Sequence, residues 1–407
     1  MSSVARRNFL LYSAQLAGAA ILSSCRLIEM PSAIARSQTA QPAAGALAPS
    51  NPFAFTIRPT LPTPELSLAY KIGQMILIGF GGRYLDLQSS VVEQIGAGLV
   101  GGVVLFGRNV ESAEQLQALT ATLQGVSPLP LLISIDQEGG WVTRLSRTFG
   151  ITSNYSAQYL GQHNDLALTR AQGESTAQHL ASLGINLNLA PVVDLNTNPS
   201  NPIIGRYERS YSADPEIVTN HAHAVIEAHR RQNVYCTLKH FPGHGSSRGD
   251  THAGFVDVTD TWRVTELAPY AALIGAQSCD VIMTAHIFNA TLDPDYPATL
   301  SANVVTGLLR EKLGYEGVVI SDDMQMGAIA KLYDLETAVQ LAITAGVDMI
   351  AYSNNIPLSR GAGADRLHAI ITNLVERGIV TPQRIEQSYQ RIVRLKQRLL
   401  NTIHTGL

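Results

Sequence analysis

Eight short apolar runs, each followed by a polar loop and then a helical stretch, recur along this chain from about residue 65 onward. The first four are Met75-Ile76-Leu77-Ile78, Gly102-Val103-Val104-Leu105-Phe106, Leu131-Leu132-Ile133-Ser134-Ile135 and Leu187-Asn188-Leu189-Ala190-Pro191-Val192-Val193. The others run from Val234 to Leu238, Val281 to Ala285, Gly317 to Ser321 and Val347 to Tyr352. All are apolar on both faces, the pattern of parallel strands covered by helices. Eight βα units in series predict one (β/α)8 barrel of the TIM type. An open doubly wound sheet is the competing arrangement, but no Gly-x-Gly-x-x-Gly follows the first run, which weakens a dinucleotide site.

The helical stretches carry their own punctuation. Val304, Val305, Leu308, Leu309 and Leu313 are spaced for one helix face, with Ser301 as N-cap and Gly314 as stop. Thr381-Pro382 reads as an N-cap followed by proline at the first helical position. Helices are also expected around Ala167 to Leu183 and Val218 to Arg231. A hydrophobic content of 45% against 15% charged residues suits one large core. The formal net charge of -3, with Arg and Lys scattered along the chain, leaves no basic surplus for a nucleic-acid partner.

The first 25 residues read as address and not as fold. Arg6-Arg7-Asn8-Phe9-Leu10-Leu11 resembles a twin-arginine export signal, and the apolar run behind it is too short and interrupted to span a bilayer. Leu22-Ser23-Ser24-Cys25 resembles a lipobox, in which Cys25 would carry the lipid; the alternative is an ordinary signal peptide with Cys25 a bystander. Residues 26–62, rich in Ala, Pro and Ser, read as a flexible tether. The expected organisation is therefore export signal 1–25, tether 26–62 and barrel 63–403, in an exported, extracytoplasmic protein attached to a membrane by an N-terminal lipid. Cys236 and Cys279 remain in the body, as two buried thiols or as a disulfide; the free thiols are the expected state.

A barrel enzyme carries its chemistry at the C-terminal ends of its strands. The third run ends in Asp136-Gln137-Glu138-Gly139-Gly140, with Arg144 nearby, and the fourth in Asp194, before a long loop with Arg206 and Arg209. The fifth opens into Lys239-His240-Phe241-Pro242-Gly243-His244-Gly245 and then Asp250-Thr251-His252. His286 follows the sixth run, Asp322-Asp323 the seventh and Ser353-Asn354-Asn355 the eighth. Of the two adjacent aspartates Asp322, nearer the strand, is the one expected to aim at a substrate. Arg209 is equally readable as a solvated loop cation, and His286 as a satisfied rim histidine. His240, His244, Asp250 and His252 also permit a metal site, although their loop spacing is not that of a helical His pair.

Lys239 to Gly245 followed by Asp250-Thr251-His252, together with Asp136 to Gly140 and Ser321-Asp322-Asp323-Met324, closely resembles family 3 of the glycoside hydrolases. Within it the resemblance is to the single-domain β-N-acetylhexosaminidase branch, and it covers about residues 65–400. It implies a metal-free (β/α)8 barrel without a cofactor, acting on N-acetylglucosamine in peptidoglycan fragments. Asp322 becomes the nucleophile, His252 the general acid/base and Asp250 its orienting partner. Asp136, Arg144, Arg209, Lys239 and His240 become the sugar binders. Two departures stand out: Trp141 occupies a position where arginine is expected, and an export signal precedes a barrel whose relatives are often cytoplasmic.

Those residue types suit the reaction. Retaining hydrolysis needs a carboxylate to attack the anomeric carbon and an acid to protonate the leaving oxygen. An imidazole gives and takes protons near neutrality, and a carboxylate two residues away can orient it and stabilise the imidazolium. The glycines at 243, 245 and 249 suggest a loop free to swing over a bound sugar. Beside an exo-β-N-acetylhexosaminidase stand a phosphorylase sharing the covalent intermediate, a β-glucosidase of the same family, and a non-catalytic glycan-binding lipoprotein.

Overall fold

The computed structural model describes residues 67–145, 149–151, 154–355 and 363–401. The expected export signal, Cys25 and tether lie outside the described residues. Strands β1 (Ile76–Gly79), β2 (Gly102–Leu105), β3 (Leu132–Ile135), β4 (Leu187–Asn188), β5 (Tyr235–Phe241), β6 (Val281–Thr284), β7 (Val318–Ile320) and β8 (Ile350–Tyr352) form one parallel sheet. Neighbours run in sequence order, and β1 also pairs with β8 through Ile76–Ile350, Leu77–Ala351 and Ile78–Tyr352. Only the β7–β8 seam is thin. There a single bridge joins Ile320 to Met349, backed by Ser321 N–H to the Met349 carbonyl at 2.9 Å and Ala351 N–H to Ser321 Oγ at 2.9 Å. The sheet is thus a nearly closed eight-stranded barrel with helices outside it, as the eight runs predict.

Every residue of these strands is buried, which is why the runs are apolar on both faces. Each fully buried Val, Leu or Ile contributes roughly 1.5–3 kcal/mol relative to exposure, so the core is stabilised by many such terms. Helix starts are set by local chemistry. Asp214 accepts from Glu216 N–H ahead of Pro215–Arg230, and Asp165 caps Leu166–Ser182. Thr381 Oγ1 accepts from Arg384 N–H at 3.2 Å as Pro382–Asn401 begins.

Three expectations are corrected in detail. The fourth run pairs over only two residues, because Pro191 has no N–H to give the ladder; beyond it one bridge, Val192 to Lys239, continues the contact. The segment after Ser301 is wound as a π-helix, Asn303–Lys312, although Ser301 Oγ still accepts from Val304 N–H at 3.1 Å and Gly314 takes φ +70°. The fifth strand runs on through Lys239 and His240, which the sequence places in the loop. Cys236 and Cys279 are both free thiols.

At the end of the barrel where β8 begins, Asp348 is wholly buried and gathers cations from the outer helices. Its carboxylate accepts from Arg310 at 2.6 Å, Arg391 at 3.1 Å, Arg384 at 3.4 Å and Ser388 at 2.9 Å. It also accepts Val319 N–H of β7 at 3.0 Å. One carboxylate therefore ties the π-helix and the helix Pro382–Asn401 to the thin seam.

Candidate active site

The loops after the strands converge on a cavity of about 230 Å³ at the opposite end of the barrel. Its lining includes Asp136, Glu138 and Arg144 after β3, Arg209 after β4, Lys239 and His240 of β5, and His244 and His252 beyond it. Asp322 and Asp323 after β7, and Ser353 and Asn355 after β8, complete it. Of the eight residues singled out from sequence, seven line this cavity; the eighth, Asp250, reaches it through His252. Successive side chains of a regular strand point to opposite faces. Strand β5 departs from this where its register against β6 shifts between Leu238 and Phe241, and consecutive Lys239 and His240 both meet the cavity.

One side of the site is a tight charge cluster. The Lys239 ammonium donates to Asp136 and to Glu138, each at 2.7 Å. Arg209 donates to Glu138 through Nε and Nη2, both at 2.8 Å, the two-pronged geometry a guanidinium offers a carboxylate. Arg144 reaches Asp136 at 3.3 Å, while its buried Nε finds no partner among the described residues. Burial alone would raise the pKa of Asp136 and Glu138, but Lys239 with Arg144 at the first, and Arg209 with Lys239 at the second, hold both carboxylates below their ordinary range. Burial is likewise outweighed at Lys239, whose pKa is raised by Asp136 and Glu138. The cluster stays fully charged.

Glu138 and Asp194 stand among the strand-end groups of the sequence, but no role is read for either there. Glu138 had a visible signal, since it stands in the same polar turn as Asp136. Asp194 is completely buried and accepts from His240 Nδ1 at 2.7 Å and from His244 N–H at 2.7 Å. It thereby fixes the His240 ring, whose Nε2 lies 3.4 Å from Arg209 Nη2. Those partners are 46 and 50 residues away in sequence, so no local pattern announces the contact.

The two adjacent aspartates both border the cavity and differ in their partners. Asp323 is engaged by the Ser353 hydroxyl, and its Oδ1 accepts Ser353 N–H and Gln325 N–H, each at 3.1 Å. Burial raises its pKa beyond what those hydrogen bonds recover. Asp322 accepts Asp323 N–H at 2.8 Å. Burial would raise its pKa too, but His286, His240 and His252 outweigh it, so the carboxylate stays ionised. His286 is a satisfied histidine: it meets Thr299 Oγ1 at 2.8 Å and the Asp323 carbonyl at 3.0 Å, and burial lowers its pKa.

Asp250 Oδ1 accepts both from His252 Nδ1 and from His252 N–H at 2.8 Å. That hydrogen bond, more than any other influence, raises the pKa of His252. The imidazole remains 60% exposed, in contrast to the charge cluster. Its loop docks on the segment after β7, with Gly327 N–H on the His252 carbonyl at 3.1 Å and Ala328 N–H on the Thr251 carbonyl at 3.0 Å. The expectation that glycines loosen this loop is corrected at its base. Gly243 sits at φ +116° with Glu266 where a side chain would go, and a Cβ on Gly245 would collide with the Leu195 carbonyl. They are close-approach positions.

Each histidine of the metal reading has a polar partner on Nδ1. His240 is held by Asp194, His252 by Asp250, and His244 by Ser247 Oγ at 2.8 Å. Among the described residues no three His, Cys, Asp or Glu side chains are grouped to hold a metal ion.

Residues 67–395 match the family described as "Glycosyl hydrolase family 3 N terminal domain". The chain belongs to glycosyl hydrolase family 3. It is 36% identical over 327 residues to "Beta-hexosaminidase A" of Pseudoalteromonas piscicida, a match covering 74% of this chain and 54% of that one. It thus spans about half the length of that relative. Against "Beta-hexosaminidase" of Xylella fastidiosa (strain M23) it is 35% identical over 317 residues, covering 75% and 92%. Among solved structures, a family 3 beta-N-acetylglucosaminidase from Paenibacillus sp. str. FPU-7 superposes with a TM-score of 0.75 at 36% identity, covering 82% of this chain and 63% of that one.

Proposed function

We propose that this family 3 chain is a retaining exo-β-N-acetylhexosaminidase that removes terminal N-acetylglucosamine from β-linked glycans, peptidoglycan fragments foremost. The observation that carries the reading is one cavity bordered by the ionised Asp322, the Asp250-supported His252 and the Asp136–Arg144–Lys239 cluster. The names of its relatives agree with it.

In this reading Arg144, Lys239 and Asp136 grip the sugar's polar groups, Arg209 and Glu138 brace them, and Asp194 holds His240 in register. The Asp322 carboxylate attacks the anomeric carbon as the glycosidic C–O bond breaks, and the leaving oxygen takes the proton of His252. His252, now neutral, removes a proton from water. That water attacks the anomeric carbon and releases Asp322. Two inversions leave the β configuration in the product.

An imidazole acid also favours a second reading, phosphorolysis, because it does not repel incoming phosphate as a carboxylate would. Turnover of an aryl β-N-acetylglucosaminide, followed by NMR of the first-formed anomer with and without phosphate, tests both. β-N-acetylglucosamine in plain buffer is the expected product. A sugar 1-phosphate formed only with phosphate makes it a phosphorylase, and no turnover in either buffer sinks the glycosidase reading.

Arg6-Arg7 and Leu22-Ser23-Ser24-Cys25 support export and lipid attachment at Cys25. Labelled fatty acid should enter the full chain and not Cys25→Ala; equal labelling counts against the lipobox.

A further inference from the structure

The turn that carries Asp136 and Glu138 into the cavity also carries an indole outward. Trp141 is 68% exposed, although Val142 beside it and Arg144 beyond line the cavity. Tryptophan is highly buried on average, so an indole held in water invites explanation by a ligand. The turn holding it is pinned. Gly139 and Gly140 take φ +97° and +57°, and Gly140 exchanges hydrogen bonds with Asn154 at 3.2 and 3.3 Å. A Cβ on Gly139 would lie 2.6 Å from the Tyr155 carbonyl.

Two more exposed rings stand on segments tied to this turn. Tyr155, 36% exposed, stacks on Tyr159 with centroids 4.5 Å apart. Tyr207, 48% exposed, stands two residues before Arg209 of the cavity, and Gln158 N–H to the Glu208 carbonyl at 3.1 Å ties its segment to the Tyr155 segment. Amphipathic rings on a rigid frame suit a ligand with one apolar face and many hydroxyls. A β-linked pyranose chain is such a ligand.

We propose that Trp141, with Tyr155 and Tyr207 on segments tied to its turn, is a stacking surface for the glycan beyond the sugar in the cavity, and so sets a preference for long substrates. The occupant follows from continuity: the same turn and the same arginine-bearing loop supply both surfaces. The inference rests on the glycosidase reading. It predicts that arginine would not replace Trp141, because the contact is with the face of a ring and not with a charge.

The test compares full-length wild-type, Trp141→Ala and Trp141→Phe proteins on a β-1,4-linked N-acetylglucosamine pentamer and on an aryl N-acetylglucosaminide. The ratio of kcat/KM for pentamer over aryl substrate should fall about tenfold in Trp141→Ala and recover in Trp141→Phe. Calorimetry on the Asp322→Asn protein should show affinity rising with chain length, and that rise should vanish when Trp141→Ala is added. An unchanged ratio, an equal loss on both substrates, or a change of oligomeric state in Trp141→Ala with glycan affinity intact overturns the proposal. Should wild type cleave neither substrate, the glycosidase reading falls, while length-dependent binding lost with Trp141 still decides this one.

Discussion

In the proposed reaction Asp322 and His252 divide the labour of the site through opposite surroundings. One is a buried carboxylate kept ionised by nearby imidazoles, the other a largely exposed imidazole kept basic by one carboxylate. Asp322→Asn should lower kcat by several orders of magnitude and leave the circular-dichroism melt in place, since the covalent route is lost and the fold is not. For His252→Ala, substrates with poor leaving groups should lose about 10²–10⁴-fold in kcat/KM, and activated aryl glycosides far less. Equal losses would make His252 a binding residue. The pH profile follows with a definite sign. The first step needs the imidazolium, which is present below the folded pKa of His252 and lost above it. Because Asp250 is the largest cause raising that pKa, Asp250→Asn should move the alkaline limb of kcat/KM to lower pH. The proposed roles come from the resemblance of these motifs to the family, while the contact of Asp250 with His252, two residues apart, could also be read from spacing. The brace formed by Glu138 and Asp194 could not, since partners such as Arg209 and His240, 71 and 46 residues distant, leave no spacing to read.

At the scale of elements, the order of strands and the start of most helices could be read from apolar runs and caps, both local signals. What escaped was set by packing across the barrel. The extra length of β5 accompanies its shifted register with β6, and no residue of Asn303–Lys312 announces its π winding. Gly243 and Gly245 looked like freedom and are the reverse, because Glu266 and Leu195 fill the space beside them. Glu266 shows what that closeness does. Its Oε2 accepts Gly245 N–H at 3.1 Å, its Oε1 is buried without a partner among the described residues, and burial pushes its pKa up to about 8. The folded state therefore holds a proton there that the unfolded chain releases above its ordinary value of 4.5. Stability from this group is complete below that ordinary value and is lost as pH rises toward about 8. Glu266→Gln keeps an acceptor for Gly245 and should flatten that part of the stability-versus-pH curve in denaturant titrations. A curve parallel to wild type would show that Glu266 does not carry the proton.

For the whole molecule, chemistry and cohesion sit at opposite ends of the strands, as barrels generally arrange them. Asp348 is the clearest case of cohesion, one buried carboxylate facing three arginines and a β7 amide. Asp348→Asn should cost about 3–5 kcal/mol in reversible unfolding, the usual penalty for leaving buried cations unpaired. Any folded fraction should keep its KM, because no group around Asp348 borders the cavity. The seam that Asp348 guards has a further consequence. With one bridge where other neighbours pair over two to four residues, β7 and β8 are where the barrel can part without unfolding. Amide hydrogens of Val319 to Ser321 and Met349 to Ala351 should exchange with deuterium sooner than those of β2 and β3, through openings cheaper than global unfolding. Asp322 hangs directly from one lip of that seam and Ser353 from the other. Breathing of the wall would then move the proposed nucleophile itself, and a ligand resting against Asp322 on one lip and Ala351 on the other would be felt as slower exchange along the whole seam.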